Sequence, residues 1–289
     1  MENATNVGCG GISNNTTADV TEKDGAVAGI ILYDHSSNTD INSYILTTVD
    51  NVAVPRVALA NRTLYKDGNW NTLCLPFDVV LSGSELDGTG VDVRTLDDAS
   101  FSEGTLTLNF TDEGAVTKME AGKPYIIKWE KSEGYTTDGN FDITSPVFTS
   151  VTVKSGTTDI TTNWVDFCAT YSPENIFESG TEKTKLNLGA NNKLYYPDTE
   201  GFKVNACRAY FYLKNGLTAG EVSSPGEHSV RTFVLNFGDG ETGIVSMDNG
   251  KWIMDKEAGA WHDLNGRQLS GKPTRKGVYI NNGSKVVIK

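Results

Sequence analysis

The chain has 289 residues, 38% of them hydrophobic, and carries 25 Lys and Arg against 37 Asp and Glu for a net charge of −12. That length and apolar fraction predict a globular protein with one large or two modest domains, and no run of about 18 apolar residues exists to cross a membrane as a helix. The charge is uneven: residues 244–289 hold eight Lys and Arg against four Asp and Glu, so the acidic excess lies in the body, which repels nucleic acid and excludes that partner for most of the chain.

Residues 1–24 are rich in Asn, Thr and Gly with few apolar side chains and read as disordered. Within them Val7-Gly8-Cys9 looks like the end of a lipoprotein cleavage box, but no apolar stretch precedes it, and no signal peptide is recognisable. The first apolar run, Ala26 to Tyr33, reads as a strand. Asn38 to Leu46 places Ile41, Tyr44 and Ile45 at helical spacing, enough for a turn or two. From there the period is two. Leu106, Leu108 and Phe110 alternate with Thr105, Thr107 and Asn109, and Phe233, Leu235 and Phe237 alternate with polar or smaller neighbours. Further strands are expected at 56–59, 125–129, 147–153, 164–169, 193–196 and 207–213, punctuated by turns such as Asp67-Gly68, Asp138-Gly139 and Asn215-Gly216. Turns this frequent predict an all-β protein, a β-sandwich over residues 25–240 rather than a βαβ sheet, either one large or two modest, Ig-like or jelly-roll-like.

Gly238 to Gly243 reads as a linker, and residues 241–289 as a small basic β unit. Its two alternating runs, 277–280 and 285–288, flank Asn281-Asn-Gly-Ser284 and predict a hairpin. The excess of basic residues suits an anionic surface such as the outer membrane; the alternative is that Lys272, Arg275 and Lys276 are solvated turn residues.

Trp70-x-x-x-Cys74 returns as Trp164-x-x-x-Cys168. In a strand, positions i and i+4 share a face, so each pair is expected to pack inward together. The four cysteines permit three fully paired connectivities; Cys74 and Cys207, in apolar strands, also fit as small buried hydrophobes, with Cys9 as a free thiol.

Catalytic motifs are sparse. The three histidines, His35, His228 and His262, stand in no metal-ligand spacing, and neither a nucleophile elbow nor a phosphate loop is present. His262 and Asp263 are adjacent, so in a strand they point to opposite faces. No residue set calls for a cofactor. Asp138-Gly-Asn140-Phe-Asp142 has the oxygen-ligand alternation of a calcium loop, but Ile143 and Thr149 stand where an EF-hand needs Gly and Glu, and an acidic β-turn is the plainer reading. In the strand at 207–213, Cys207, Ala209, Phe211 and Leu213 form one apolar face, leaving Arg208, Tyr210 and Tyr212 on the other. If open, that second face can stack on sugar rings or meet a protein; if covered, it is core.

Several phrases carry a resemblance. Asn61-Arg-Thr-Leu-Tyr-Lys-Asp-Gly-Asn-Trp-Asn-Thr-Leu-Cys-Leu-Pro-Phe77 is followed by Ala121-Gly-Lys-Pro-Tyr125, Phe167-Cys-Ala-Thr-Tyr-Ser-Pro173, Leu188-Gly-Ala-Asn-Asn-Lys-Leu-Tyr-Tyr196 and Cys207-Arg-Ala-Tyr-Phe211. Together they resemble surface proteins of Bacteroides and Prevotella. The terminal unit, through Asp263-Leu-Asn-Gly-Arg267, Lys276-Gly-Val-Tyr279 and Lys285-Val-Val-Ile288, is similar more loosely to the sorting domains of type IX secretion, without their Asn-Pro entry motif. The resemblance implies an extracytoplasmic, non-catalytic module for adhesion or recognition of a surface glycan or a host or bacterial protein. The other functions in view are a purely structural stalk or cap and a cryptic glycoside hydrolase.

Overall fold

The computed structural model describes residues 20–34, except 24 and 25, then 41–176, 183–196, 202–219 and 228–238, and beyond these the backbone of six strands between 242 and 288. The protein is all-β, with a single α-helix among the described residues, and no described helix is long and apolar enough to cross a membrane. Order is seen earlier than composition suggests: Val20–Lys23 pairs antiparallel with Ala26–Tyr33. Residues 1–19, with Cys9, lie outside the described residues.

Ala26–Tyr33 runs parallel to Ala53–Ala60, and a parallel pair needs a crossover. The helix Ile41–Thr48 supplies it, burying Ile45 and Leu46. Its third buried residue, Asn42, accepts from the N–H of Tyr33 at 2.9 Å and donates to the carbonyls of Tyr33 and Tyr171 at 3.0 and 2.9 Å. That amide anchors the helix to both the sheet and a distant loop. The body therefore contains a β-α-β crossover, a departure from the expected sandwich that two helical turns signal only weakly in sequence.

The centre of the molecule is a three-stranded antiparallel sheet in the order Asn71–Leu73, Tyr125–Lys128, Asp92–Arg94. Alternation divides its side chains between two cores. Leu73, Val93, Tyr125 and Ile127 join Ile30, Leu59, Phe77 and Trp129, while Ile126 and the neighbouring Trp70 join Leu106, Phe167, Phe211 and Phe233. A strand buried on both faces reads as a continuous apolar run, and Tyr125-Ile-Ile127 is one.

Two five-stranded sheets bound the second core. In one, Val165–Thr170 pairs with Arg208–Leu213, and the opposed rings of Phe167 and Phe211 stack at 4.6 Å and 8°. In the other, Thr105–Phe110 pairs in parallel with Thr232–Asn236, placing Leu106 beside Phe233 and Leu108 beside Leu235, all on the buried side of the expected alternation. Thr242–Asp248 extends this second sheet by pairing with Thr232–Asn236. Thr242 and Gly243, within the stretch read as a linker and its continuation, thus already belong to a strand of the body's sheet, Lys251–Trp252 pairs at that sheet's edge, and the four strands from Trp261–His262 onward form a separate sheet. There Gly277–Asn281 and Ser284–Ile288 make the expected hairpin, with Asn281 opposite Ser284.

The paired Trp and Cys residues do not share a face. Trp70 enters the second core and Cys74 the first; Trp164 packs against the second core and Cys168 lies in a third, small cluster. The i, i+4 rule fails because Trp70 and Cys74 both lie outside the three-residue strand Asn71–Leu73, and Trp164 precedes Val165–Thr170.

The burial contrast along Arg208–Leu213 sets an expectation. Phe211 is fully buried and Tyr212 is 36% exposed, so Phe211→Ala is expected to cost about 3–5 kcal/mol and Tyr212→Ala under about 1 kcal/mol. Denaturant unfolding of the two variants measures the difference.

Candidate functional site

A cleft of the body has a volume of about 600 Å³ and is lined by several segments distant in sequence. One wall is the loop between Thr63–Leu64 and Asn71–Leu73, which contributes Tyr65, Asp67, Asn69, Trp70 and Asn71. Short polar side chains set its shape. Asn71 closes the loop by accepting from the N–H of Tyr65 and donating to its carbonyl, both at 2.9 Å. Inside it Asp67 accepts from the N–H and the side-chain amide of Asn69, each at 2.9 Å. Gly68 at the tip has φ +88°, a region that side chains rarely adopt without strain. A third clamp is external: Asp142 Oδ1 accepts from the N–H of Lys66 at 2.9 Å and from the hydroxyl of Tyr135 at 3.1 Å. Tyr135 is thereby held at the cleft. Burial and the Asp142 carboxylate raise its phenol to about 12, because an adjacent negative acceptor favours the protonated form.

The facing wall comes from Asn187 to Ala190 and Phe202 to Asn205. The turn at 189–193 is joined to the first wall by the bond from the N–H of Trp70 to Asn192 Oδ1 at 2.7 Å. Asn191 and Asn192 both take left-handed φ values, 58° and 57°, which asparagine tolerates better than most residues. Gly189 is needed for space, since a Cβ there would come within 2.7 Å of the Tyr195 ring. Below the cleft, Trp70 stacks on Phe237 at 5.1 Å with Lys128 Nζ 4.8 Å from its ring centroid.

Arg208 completes the lining. Its guanidinium is paired with the nearly buried Asp34, at 2.6 Å between Nη2 and Oδ2. Behind it, Arg62 is 1% exposed and donates to the carbonyls of Thr72 and Thr63 at 2.6 and 3.2 Å. Burial, and then the Arg208 charge, lower the proton affinity of Arg62, while Asp34 opposes them. Asp34 therefore serves two guanidiniums, one by contact and one at longer range.

The structure separates the row Arg208, Tyr210, Tyr212 expected on one open face. Only Arg208 reaches the cleft. Tyr210 is 7% exposed, donates to Glu174 Oε1 at 2.8 Å, and packs with Ile176, Val204 and Cys168. The paired strands Glu174–Asn175 and Lys203–Val204 bring these groups together. Tyr212 is exposed but lies opposite Asp166 and Lys185, outside the cleft lining. Alternation holds for Ala209, Phe211 and Leu213, which share the second core, but not for Cys207, which precedes the strand at φ 53° and enters the first core; nor does it carry information on which part of the opposite face the pair Glu174–Asn175 and Lys203–Val204 covers.

The oxygen alternation Asp138, Asn140, Asp142 is likewise divided. Asp138 accepts from Thr136 Oγ1 at 2.8 Å and from Asn140 Nδ2 at 2.6 Å, forming an acidic turn, and Asp142 turns away to clamp Tyr135 and Lys66. Among the described residues no group of three His, Cys, Asp or Glu is placed to hold a metal. His35 lies outside the described residues, as does the side chain of His262.

Residues missed as site candidates are Tyr65, Asn69, Tyr135 and Phe202. For the first two the available signal was the turn Tyr65-Lys-Asp-Gly-Asn-Trp70, a Gly tip set between aromatics. Three of the phrases quoted for the resemblance, 61–77, 188–196 and 207–211, meet at this cleft. Comparison of the chain with protein-family models, curated proteins and solved structures yields no match.

Removing the external clamp should be visible at Tyr135 itself. In Asp142→Ala the phenol loses the acceptor that favours its protonated form, so its ionisation midpoint is expected to fall from about 12 toward the ordinary value. An NMR titration of the Tyr135 ring resonance checks this; an unchanged midpoint would show that the carboxylate has no part in the shift.

Proposed function

We propose that the protein is a non-catalytic recognition module of an extracytoplasmic surface whose cleft binds carbohydrate. The observation that carries the reading is the combination of partly open rings and side-chain amides around one cavity. Tyr65 is 53% exposed and Phe202 37%, and with Tyr135 they share the lining with Asn69, Asn187 and Asn205. A sugar ring presents C–H groups that pack on an aromatic face and hydroxyls that both donate and accept. An asparagine amide does the same through its NH₂ and carbonyl. A cavity of this size with convergent polar groups falls within the usual range for small ligands.

Binding is favoured over hydrolysis by the state of the acid groups. A glycosidase of the common type needs two carboxylates about 5–10 Å apart across the bond. Asp67 is the one carboxylate among the described lining residues, and both its oxygens are already engaged by Asn69. The extracytoplasmic placement is supported by the resemblance of the phrases at 61–77, 188–196 and 207–211 to bacterial surface proteins.

The test is a glycan array followed by titration calorimetry of whichever oligosaccharide is retained. Tyr65→Ala and Phe202→Ala are each expected to weaken binding at least about tenfold, the loss of roughly 1.4 kcal/mol of stacking, without lowering Tm. Tyr212→Ala, equally aromatic but off the cleft, should leave affinity unchanged. Retention of no glycan, or equal loss in all three variants, would overturn the reading.

A further inference from the structure

Two cysteines meet under the cleft. The backbone N–H of Cys74 donates to the carbonyl of Cys207 at 3.3 Å. A direct bond of that length holds two Cα atoms roughly 5–6.5 Å apart, inside the range of about 4.4–6.8 Å that a disulfide spans. Both side chains belong to the first core, at 0% and 2% exposure, and both are thiols in the structure. Cys168 is elsewhere, in the small cluster with Tyr210.

We propose that Cys74 and Cys207 form a disulfide when the chain folds under oxidising conditions, strapping together two walls of the cleft. The position gives the bond its consequence. Asn71 and Thr72, just before Cys74, line one side, and Asn205 and Arg208, flanking Cys207, line another. A covalent link between them holds the walls at a set spacing and reduces the ordering that a ligand must otherwise impose.

The chemistry requires an oxidant, here a small-molecule disulfide or a disulfide-exchange catalyst. The thiolate of one cysteine attacks it, forming a mixed disulfide and expelling one thiol. The second cysteine then attacks the protein sulfur and expels the other. Two protein thiols are oxidised, one disulfide is reduced to two thiols, and the two protons released pass by way of solvent to the two leaving thiolates. Burial raises the Cys207 thiol to about 12, and burial and then the nearness of Cys207 raise that of Cys74. Little thiolate is present once the core has closed, so the bond forms earlier in folding and is shielded from reductants afterwards. The closed loop is well over a hundred residues long, in the range where the chain-entropy model gives the largest stabilisation.

The full chain is unfolded in reductant, refolded with mixed oxidised and reduced glutathione, alkylated, and digested without reduction. Mass spectrometry is expected to find a peptide joining Cys74 to Cys207, and Tm is expected to lie roughly 5–15 °C above that of the protein refolded in reductant. Cys168→Ala should keep both results. Cys74→Ala and Cys207→Ala should each lose the crosslink and the reductant-sensitive part of Tm. Separate alkylation of Cys74 and Cys207 in the oxidatively refolded protein, or a crosslink from either to Cys9 or Cys168, would overturn the proposal. The peptide map uses the unaltered chain, so it decides the matter even if a variant fails to fold, and refolding in vitro makes it independent of where the protein resides and of what the cleft binds.

Discussion

Burial of the three-stranded central sheet on both faces is the constraint on which the rest of the molecule depends. Tyr125–Lys128 has a neighbour on each edge and a core on each side. Its backbone groups are satisfied by pairing with Asn71–Leu73 and Asp92–Arg94, and an unpaired group at that depth would cost about as much as a lost hydrogen bond. The sheet cannot slip by one residue, because a slip would exchange every side chain between cores of different shape. Since Trp70 and Asn71 stand at its edge, the cleft wall they form inherits that fixed position.

The same layer contains a buried ion pair. Arg94 is fully buried and paired with Asp92 at 2.8 Å. Its guanidinium also reaches the carbonyl of Phe237 and lies 5.6 Å from the Trp70 ring centroid. A buried ion pair is weak evidence for stability, because desolvation offsets most of the attraction. What it supplies here is geometry: the pair joins the central sheet to the end of Thr232–Asn236 and braces the indole beneath the cleft. Arg208 and Asp34 act in the same way at the cleft itself. Both arrangements place arginine where planar, multi-donor contacts can be made, which lysine would not reproduce.

Much of the fold was legible because it rests on period and on turn chemistry. The alternation at Leu106, Leu108 and Phe110 and at Phe233, Leu235 and Phe237 was enough to assign the buried side of both strands. It could not show that they are parallel neighbours, since pairing across such a separation is decided by tertiary packing. The helix at 41–48 was visible only as a weak spacing; its anchoring depends on one Asn42 amide contacting Tyr171, which no local pattern records. The site was less legible for a related reason. Tyr210 and Tyr212 are equivalent in a strand pattern, and a two-stranded sheet formed by Glu174–Asn175 and Lys203–Val204 makes one core and leaves the other in solvent.

That difference bears on how the cleft is built. Its residues lie mainly on turns, where Asp67, Asn71, Asn191 and Asn192 govern the path of the backbone. Such loops are ordinarily the mobile parts of a domain. Here side-chain caps close the first loop internally, Asp142 fixes it from outside, and Asn192 ties it to the opposite turn. Tyr65 can therefore remain 53% exposed while its backbone is held in place. Ring area that is open but already positioned is what a recognition surface requires, because less conformational entropy remains to be lost on binding. The acidic turns explain the form of the carboxylate-rich body at this point: Asp67, Asp138 and Asp142 shape and support the wall through hydrogen bonds to nearby donors.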